Sequence, residues 1–463
     1  MPEAAIPSLA DLSVWIITTM VLIGIVVRPF RWPEAVWAAA GGLALPLLGL
    51  LPWTAAWAGV REGWNVYLFL IGMMALAEIA RTARVFDALA AWAVRRARGS
   101  PTRLFVLLYA MATLVTVLLS NDATAVVMPP AVYAATRAAG VAPLPYLLIC
   151  AFVAGAASFA LPISNPANLV VYGRDLPDLA GWLRVFTLPS IVSIGATLAL
   201  LWLTQRRALG RMVMPPVSAS ASASAASTES TESTESTESS LSIGAPGGVG
   251  AFAAGSPIRS TPRASPTAIA MLSLTAVVII GASALHVPLG PPTLLSSVLA
   301  ATVVLGVRRQ SPRALLARIS WSVVPLVAGL FVIVEALRAT GVVDALAAAL
   351  ARIEGQAPLG TAWLAGAVTA LAANLANNLP TGLLASLALQ QADASALTRS
   401  AVMIAIDLGP NLSITGSLGT ILWAIALRRE GLRIGFRAFL KLGLVMMPLP
   451  LAGALAALIA AFP

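Results

Sequence analysis

The 463-residue sequence is short of cysteine, histidine and charge: it has one Cys and one His, and Asp, Glu, Lys and Arg together make only 10% of it. The single Cys150 excludes a disulfide framework and any thiolate cluster supplied by this chain alone. The single His286 and Cys150 both stand apart from the polar interruptions described below. No nucleophile–base pair is visible, which disfavours an intramembrane enzyme. An ordinary soluble domain carries about 25% charged residues. Here apolar residues make up 59% of the chain, which therefore reads as an all-α polytopic membrane protein. Its formal charge of +10 sits in short arginine clusters between apolar runs. That is the positive-inside pattern, not a nucleic-acid surface. No cleavable leader is expected, because the first apolar run leads straight into further membrane segments.

What is present is a set of apolar runs that repeats. Spans are expected over 11–27, 35–51 and 64–81, with Trp32, Trp37, Trp53, Trp57 and Trp64 near their ends as interfacial anchors. The run 103–137 is apolar at both ends and polar at its centre. As one helix it would be about 50 Å long against a core of about 30 Å, so a re-entrant hairpin is expected instead. A broken helix over 143–172 and a span over 181–204 follow. The pattern restarts with spans over 267–285, 292–307 and 321–337, a hairpin over 358–390, a broken helix over 397–427 and a last span over 437–461. Trp64 precedes Glu78 by fourteen residues as Trp321 precedes Glu335, and each Glu has an arginine three residues on, Arg81 and Arg338. A local ion pair is the expected role of each glutamate.

Placing the arginine clusters in the cytoplasm gives about ten transmembrane helices, two re-entrant hairpins and two broken helices, with the halves starting from opposite faces as inverted repeats. Residues 1–206 are then the first membrane repeat and 267–463 the second. Between them, 207–266 is rich in Ser, Ala, Thr, Gly and Pro and carries a Thr-Glu-Ser repeat with Glu229, Glu232, Glu235 and Glu238. Such sequence has little apolar surface to bury and is expected to be a disordered cytoplasmic tether.

Chemistry is concentrated in four breaks: Ser120-Asn121-Asp122, Ser164-Asn165-Pro166-Ala167-Asn168, Asn377-Asn378-Leu379-Pro380-Thr381 and Asp407-Leu408-Gly409-Pro410-Asn411. Polar side chains deep in lipid-soluble sequence face a cavity or a substrate path far more often than lipid. Asn121, Asn165, Asn168, Asn377, Asn378 and Asn411 both donate and accept, so they suit a ring around a small polyhydroxyl solute. Capping of the freed helix ends is the competing role for any one of them. Asp122 and Asp407 are the only carboxylates inside the breaks. Burial disfavours the ionised form of a carboxylate, which suits a proton carrier. No metal-ligand set and no cofactor motif accompanies them; the coupling ion is expected to be the proton. His286, at a helix end, is expected at an interface, and Cys150, in an apolar run, in the core.

These breaks, with Ile414-Thr415-Gly416-Ser417-Leu418-Gly419-Thr420-Ile421-Leu422-Trp423, resemble the ArsB-type arsenite efflux permeases of the ion transporter superfamily. The resemblance covers both membrane halves and leaves out the linker. It implies paired inverted repeats, elevator-like movement of a transport domain against a scaffold, and export of arsenite or antimonite against proton entry across the inner membrane. It also implies a partner ATPase in some members, and a homodimer is the expected assembly. The hydroxyls of Ser120, Ser164, Thr381 and Thr415 then join the asparagines as substrate contacts, with Asp407 or Asp122 carrying the proton. Asn411 stands where some relatives carry Lys, and the acidic linker is a further departure. Arsenic(III) as a bare soft ion would favour several thiolates. With one cysteine, the uncharged trihydroxide held through its hydroxyls is the expected form. A sodium/proton antiporter or a sodium-coupled carboxylate carrier of the same superfamily is the alternative, because broken-helix carbonyls and carboxylates serve sodium equally well.

Overall fold

The computed structural model describes residues 8–212 and 264–462. Residues 213–263, which hold most of the expected linker and all four repeat glutamates, lie outside the described residues. Among the described residues every regular element is a helix. The first half runs α1 (Leu9–Val27), α2 (Glu34–Leu47), α3 (Trp53–Glu62), α4 (Trp64–Thr82), α5 (Val85–Ala97), α6 (Pro101–Leu118), α7 (Met128–Ala138), α8 (Leu144–Ala156), α9 (Pro166–Tyr172) and α10 (Leu179–Gly210). The second runs α11 (Pro266–Ala284), α12 (Gly290–Arg308), α13 (Pro312–Leu316), α14 (Val323–Ala339), α15 (Val342–Gln356), α16 (Pro358–Ala376), α17 (Asn378–Gln391), α18 (Ala396–Leu408), α19 (Leu418–Arg429), α20 (Phe436–Met446) and α21 (Pro448–Ala461). Seven helical segments are long and apolar enough to cross a bilayer, with α20–α21 counted as one, and α1, α2 and α8 are shorter apolar helices. Helices α14 and α15 meet at 73°.

Helix starts follow local chemistry. Ser8 and Asp11 form a reciprocal cap on α1, and Ser100 accepts from the Arg103 amide before Pro101 opens α6. Proline also opens α9, α11, α13, α16 and α21, where its missing N–H would be unpaired in any case. The amphipathic α3 and α15 and the short α13 were not foreseen as separate elements.

The packing partners carry the inverted repeat. Helix α4 lies along α12, and α2 lies along α14; exchanging the halves turns one pair into the other. The same exchange relates α6–α8 to α16–α18, α5–α7 to α15–α17 and α1–α2 to α11–α12, while α10 packs against its own counterpart α21. Apolar burial divides accordingly. One cluster joins α1, α2, α4, α11, α12 and α14 from both halves. A second gathers around α6 and α8, with Trp423 from the other half, and a third around α16 and α18, with Trp182 and Phe186 from the first half. Trp423 Nε1 donates to the Leu147 carbonyl (2.9 Å), and Trp182 Nε1 to that of Phe159 (3.1 Å).

Both hairpins and both broken helices are present. Helices α6 and α7 are joined through Ser120–Asp122 and a π-helical turn, Ala123–Val127. Pro129 and Pro130 bring no N–H to the carbonyls one turn back, and a widened turn absorbs the mismatch. Helices α16 and α17 meet at Asn377. The first broken helix is α8, a 3-10 turn Pro162–Ser164 and α9; the second is α18, a 3-10 turn Gly409–Leu412 and α19. Each short second piece packs on the opposite half's hairpin: α9 on α17, and α19 on the π turn and α7.

Both repeated glutamates form their local ion pairs. Arg81 grips Glu78 through two nitrogens (2.7 and 2.5 Å), and Arg338 lies 4.0 Å from Glu335. His286 holds a left-handed turn after α11 (φ 57°), and Cys150 is fully buried in α8.

Candidate polar site at the helix breaks

The four breaks converge. A cavity of about 50 Å³ is lined by Asn121, Asp122, Asn165, Asn377, Asn378 and Ser417 on its polar side. Its apolar wall comes from the symmetry-related α4 and α14, through Leu70, Leu326 and Leu330. A second space of about 20 Å³ adjoins it and is bounded by Asp407, Asn411 and Thr420. Asn121, Asp122, Asn378, Ser417 and Gly419 border both. Neither lining includes a lysine or an arginine.

The individual roles differ. Ser120 accepts from the Ala123 amide (3.1 Å) and Asn121 from the Asp122 amide (2.8 Å), which turns the chain at the first hairpin tip. Asp122 is half-buried and borders both spaces. Across the tip, Thr116 and Thr124 hydroxyls pair at 2.8 Å. Asn377 adopts φ 75°, ψ 153°, a region otherwise reserved for glycine. Strain of this kind persists where the surrounding structure imposes it, and it clusters at ligand clamps.

Asn165 joins the halves. Its Oδ1 accepts from the Ala167 amide (3.0 Å), capping α9, while its Nδ2 donates to Asp407 Oδ1 (2.5 Å). Asp407 is 2% exposed, and its Oδ2 has no partner. Asn411 Nδ2 donates to the Phe152 carbonyl (3.0 Å), tying the second broken helix to α8. Gly155 faces this contact; a methyl there would lie 2.5 Å from Asn411 Oδ1 and 2.8 Å from the Asp407 carbonyl.

Other expected contacts lie outside the cavity lining. Ser164 donates to the Val117 carbonyl (3.0 Å), and Asn168 Nδ2 is shared among the carbonyls of Ser158, Leu161 and Pro162. Both brace the first broken helix. Thr415 pairs with Ser413 (2.9 Å), and Ser413 donates to Asn374 (2.7 Å), whose amide reaches the Gly409 carbonyl (3.3 Å). Thr381 is buried beside an apolar crevice between α1, α14 and the second hairpin.

Three polar lining residues, Ser417, Thr420 and Glu34, were missed from the sequence. Ser417 caps α19 by accepting from the Thr420 amide (3.1 Å) and borders both spaces. A serine three residues before a threonine at the head of an apolar run is a capping signature that marks it. Glu34 opens α2, pairs with Arg28 and also lines the larger space. Its signal is a carboxylate directly after Pro33 at the start of a membrane helix.

A family model described as a citrate transporter (CitMHS) matches residues 14–409. An uncharacterized transporter of Mycobacterium tuberculosis is 25% identical over 396 residues, 84% of each chain. Arsenical pump membrane proteins of Escherichia coli and Yersinia enterocolitica are each 24% identical over 83% of both chains. Among solved structures, the YdaH transporter of Alcanivorax borkumensis, described as having an unusual topology, aligns over 97% of both chains with a TM-score of 0.55 at 13% identity. That likeness concerns the fold.

Proposed function

The chain belongs to the CitMHS citrate-transporter family, and on that premise we propose that it exports arsenite, and antimonite with it, as the neutral trihydroxide in exchange for protons. The observation that carries this reading is the lining: amides, hydroxyls and carboxylates, with neither lysine nor arginine. A tricarboxylate held there would leave several anionic groups without a cationic partner, which is costly in a dry site. A trihydroxide both donates and accepts, as Asn121, Asn377 and Asn378 do. The fully buried Cys150 is not among the lining residues, so thiolate capture has no support.

A neutral solute carried alone only equilibrates, so uphill export needs a charged ligand moving the other way. Asp407 is assigned the proton. Its Oδ2 is buried without a donor partner, and a proton arriving there removes the cost of moving a buried charge. Asp122, on both spaces, orients the hydroxyls. In the elevator step, the hairpin tips with α9 and α19 shift against the wall of α4 and α14. The chain sits in the inner membrane with the linker in the cytoplasm.

The family's description as a citrate transporter favours one competitor, a carboxylate carrier, for which sodium is the coupling ion to test. Everted vesicles separate the two. Arsenite accumulation under an imposed pH gradient, without sodium, is the expected result. Citrate accumulation driven by sodium, with no arsenite movement, would overturn the proposal.

A further inference from the structure

A cavity of about 560 Å³ lies elsewhere, at the C-terminal end of α4 where α5, α7, α12 and α13 converge. Its polar wall is Glu78, Arg81, Arg84, Asp87, Gln310 and Arg318. Arg81 is committed to Glu78, while Arg318 approaches the same carboxylate only to 3.7 Å and Arg84 is exposed. Around the rim, Arg308 donates to the Thr82 carbonyl (2.7 Å), and Arg309 and Arg313 are exposed. Arg81, Arg84 and Arg318 thus line the cavity with Glu78 and Asp87, and Arg308, Arg309 and Arg313 add to the positive charge of the adjoining stretch. The symmetry-related end has a sparser collar: where the second half carries Arg308, Arg309, Arg313 and Arg318 from the end of α12 to α14, the first half carries Arg61 alone between α2 and α4. The cationic vestibule is therefore mainly an addition to one end and not a product of the repeat.

We propose that this vestibule docks the Thr-Glu-Ser repeat of residues 228–239. Charge complementarity is the first argument: the repeat places Glu229, Glu232, Glu235 and Glu238 three residues apart with no basic residue between them. Chain continuity is the second. The Ser265 amide donates to the Ala83 carbonyl (3.4 Å), so the described chain resumes beside Thr82 and Arg84, on the vestibule wall. Reach is the third. Glu238 stands 27 residues before Ser265, and a flexible chain of that length averages about 29 Å end to end. Tethering at that distance gives an effective concentration on the order of millimolar, so weak carboxylate–guanidinium contacts suffice.

The test uses the full-length protein in phosphatidylcholine nanodiscs. The buried Cys150 is replaced by serine, and spin labels are attached through Leu316→Cys, exposed beside the vestibule, and Ser233→Cys in the repeat. Double electron–electron resonance is expected to show a narrow population well inside the roughly 31 Å that a coil of the 32 residues from Ser233 to Ser265 averages. Replacing the four glutamates by glutamine should abolish that population, as should Arg84→Glu with Arg318→Glu. Salt at 1 M, where the Debye length falls to about 3 Å, should do the same without any substitution. A broad distribution unaffected by charge and salt would overturn the proposal. A narrow population that persists with glutamine in place of glutamate would overturn it too.

Discussion

At the scale of single residues, an asparagine in a membrane break has two uses that sequence does not separate. Its amide either faces the cavity or satisfies the carbonyls that the break has freed. Asn121, Asn377 and Asn378 line the space, whereas Asn168 gives its amide to three backbone carbonyls. Asn165 does both, capping α9 and donating to Asp407. The assignment of the proton to Asp407 is checked by Asp407→Asn, which should keep downhill arsenite exchange and lose its response to a pH gradient in vesicles. Asp122→Asn should instead weaken binding, raising the half-saturating arsenite concentration with coupling retained. Accumulation by Asp407→Asn on a pH gradient alone would show that the proton travels elsewhere. The backbone of Asn377 offers a second test. Glycine there relieves strain of about 1–3 kcal/mol. Asn377→Gly should raise the thermal midpoint while lowering transport, through loss of a lining amide. A fall in both would mean that the side chain, not the backbone, holds the tip.

At the scale of elements, the breaks were legible because Pro, Gly and Asn within apolar runs have few structural excuses. The spans were legible from hydropathy, and the glutamate pairs from their spacing to arginine. The π turn was not, since it depends on how Pro129 and Pro130 leave the preceding carbonyls. Helices α3 and α15 were missed because short amphipathic segments beside membrane spans look like connectors. The contact between α8 and the second broken helix was equally hidden, because it joins residues more than 250 apart in sequence. Gly155 permits that contact. Gly155→Ala is expected to cost about 1–3 kcal/mol through overpacking and to abolish transport. Gly195→Ala on α10, where a methyl would meet nothing within 4 Å, is the control and should leave both unchanged. Thermal unfolding and vesicle uptake on the two variants give the comparison; equal behaviour would remove the helix-break packing from the argument.

At the scale of the whole molecule, the principal scaffold seams run between halves: α4 with α12, α2 with α14, α10 with α21. These seams are built from helices that lie within 9–210 and 266–461. Deleting residues 218–256 should therefore leave arsenite uptake by vesicles intact, and a transport defect in a correctly inserted deletion protein would assign the segment an essential task. The interlocked seams have a consequence for how the protein can be made. Each half alone would present the unmatched faces of a heterodimer subunit, and its covalent bond to the other half contributes only proximity. Expressed as two polypeptides, 1–212 and 264–463, the halves should find each other in the bilayer and reconstitute a functional carrier, whereas either fragment by itself should be cleared by membrane proteolysis.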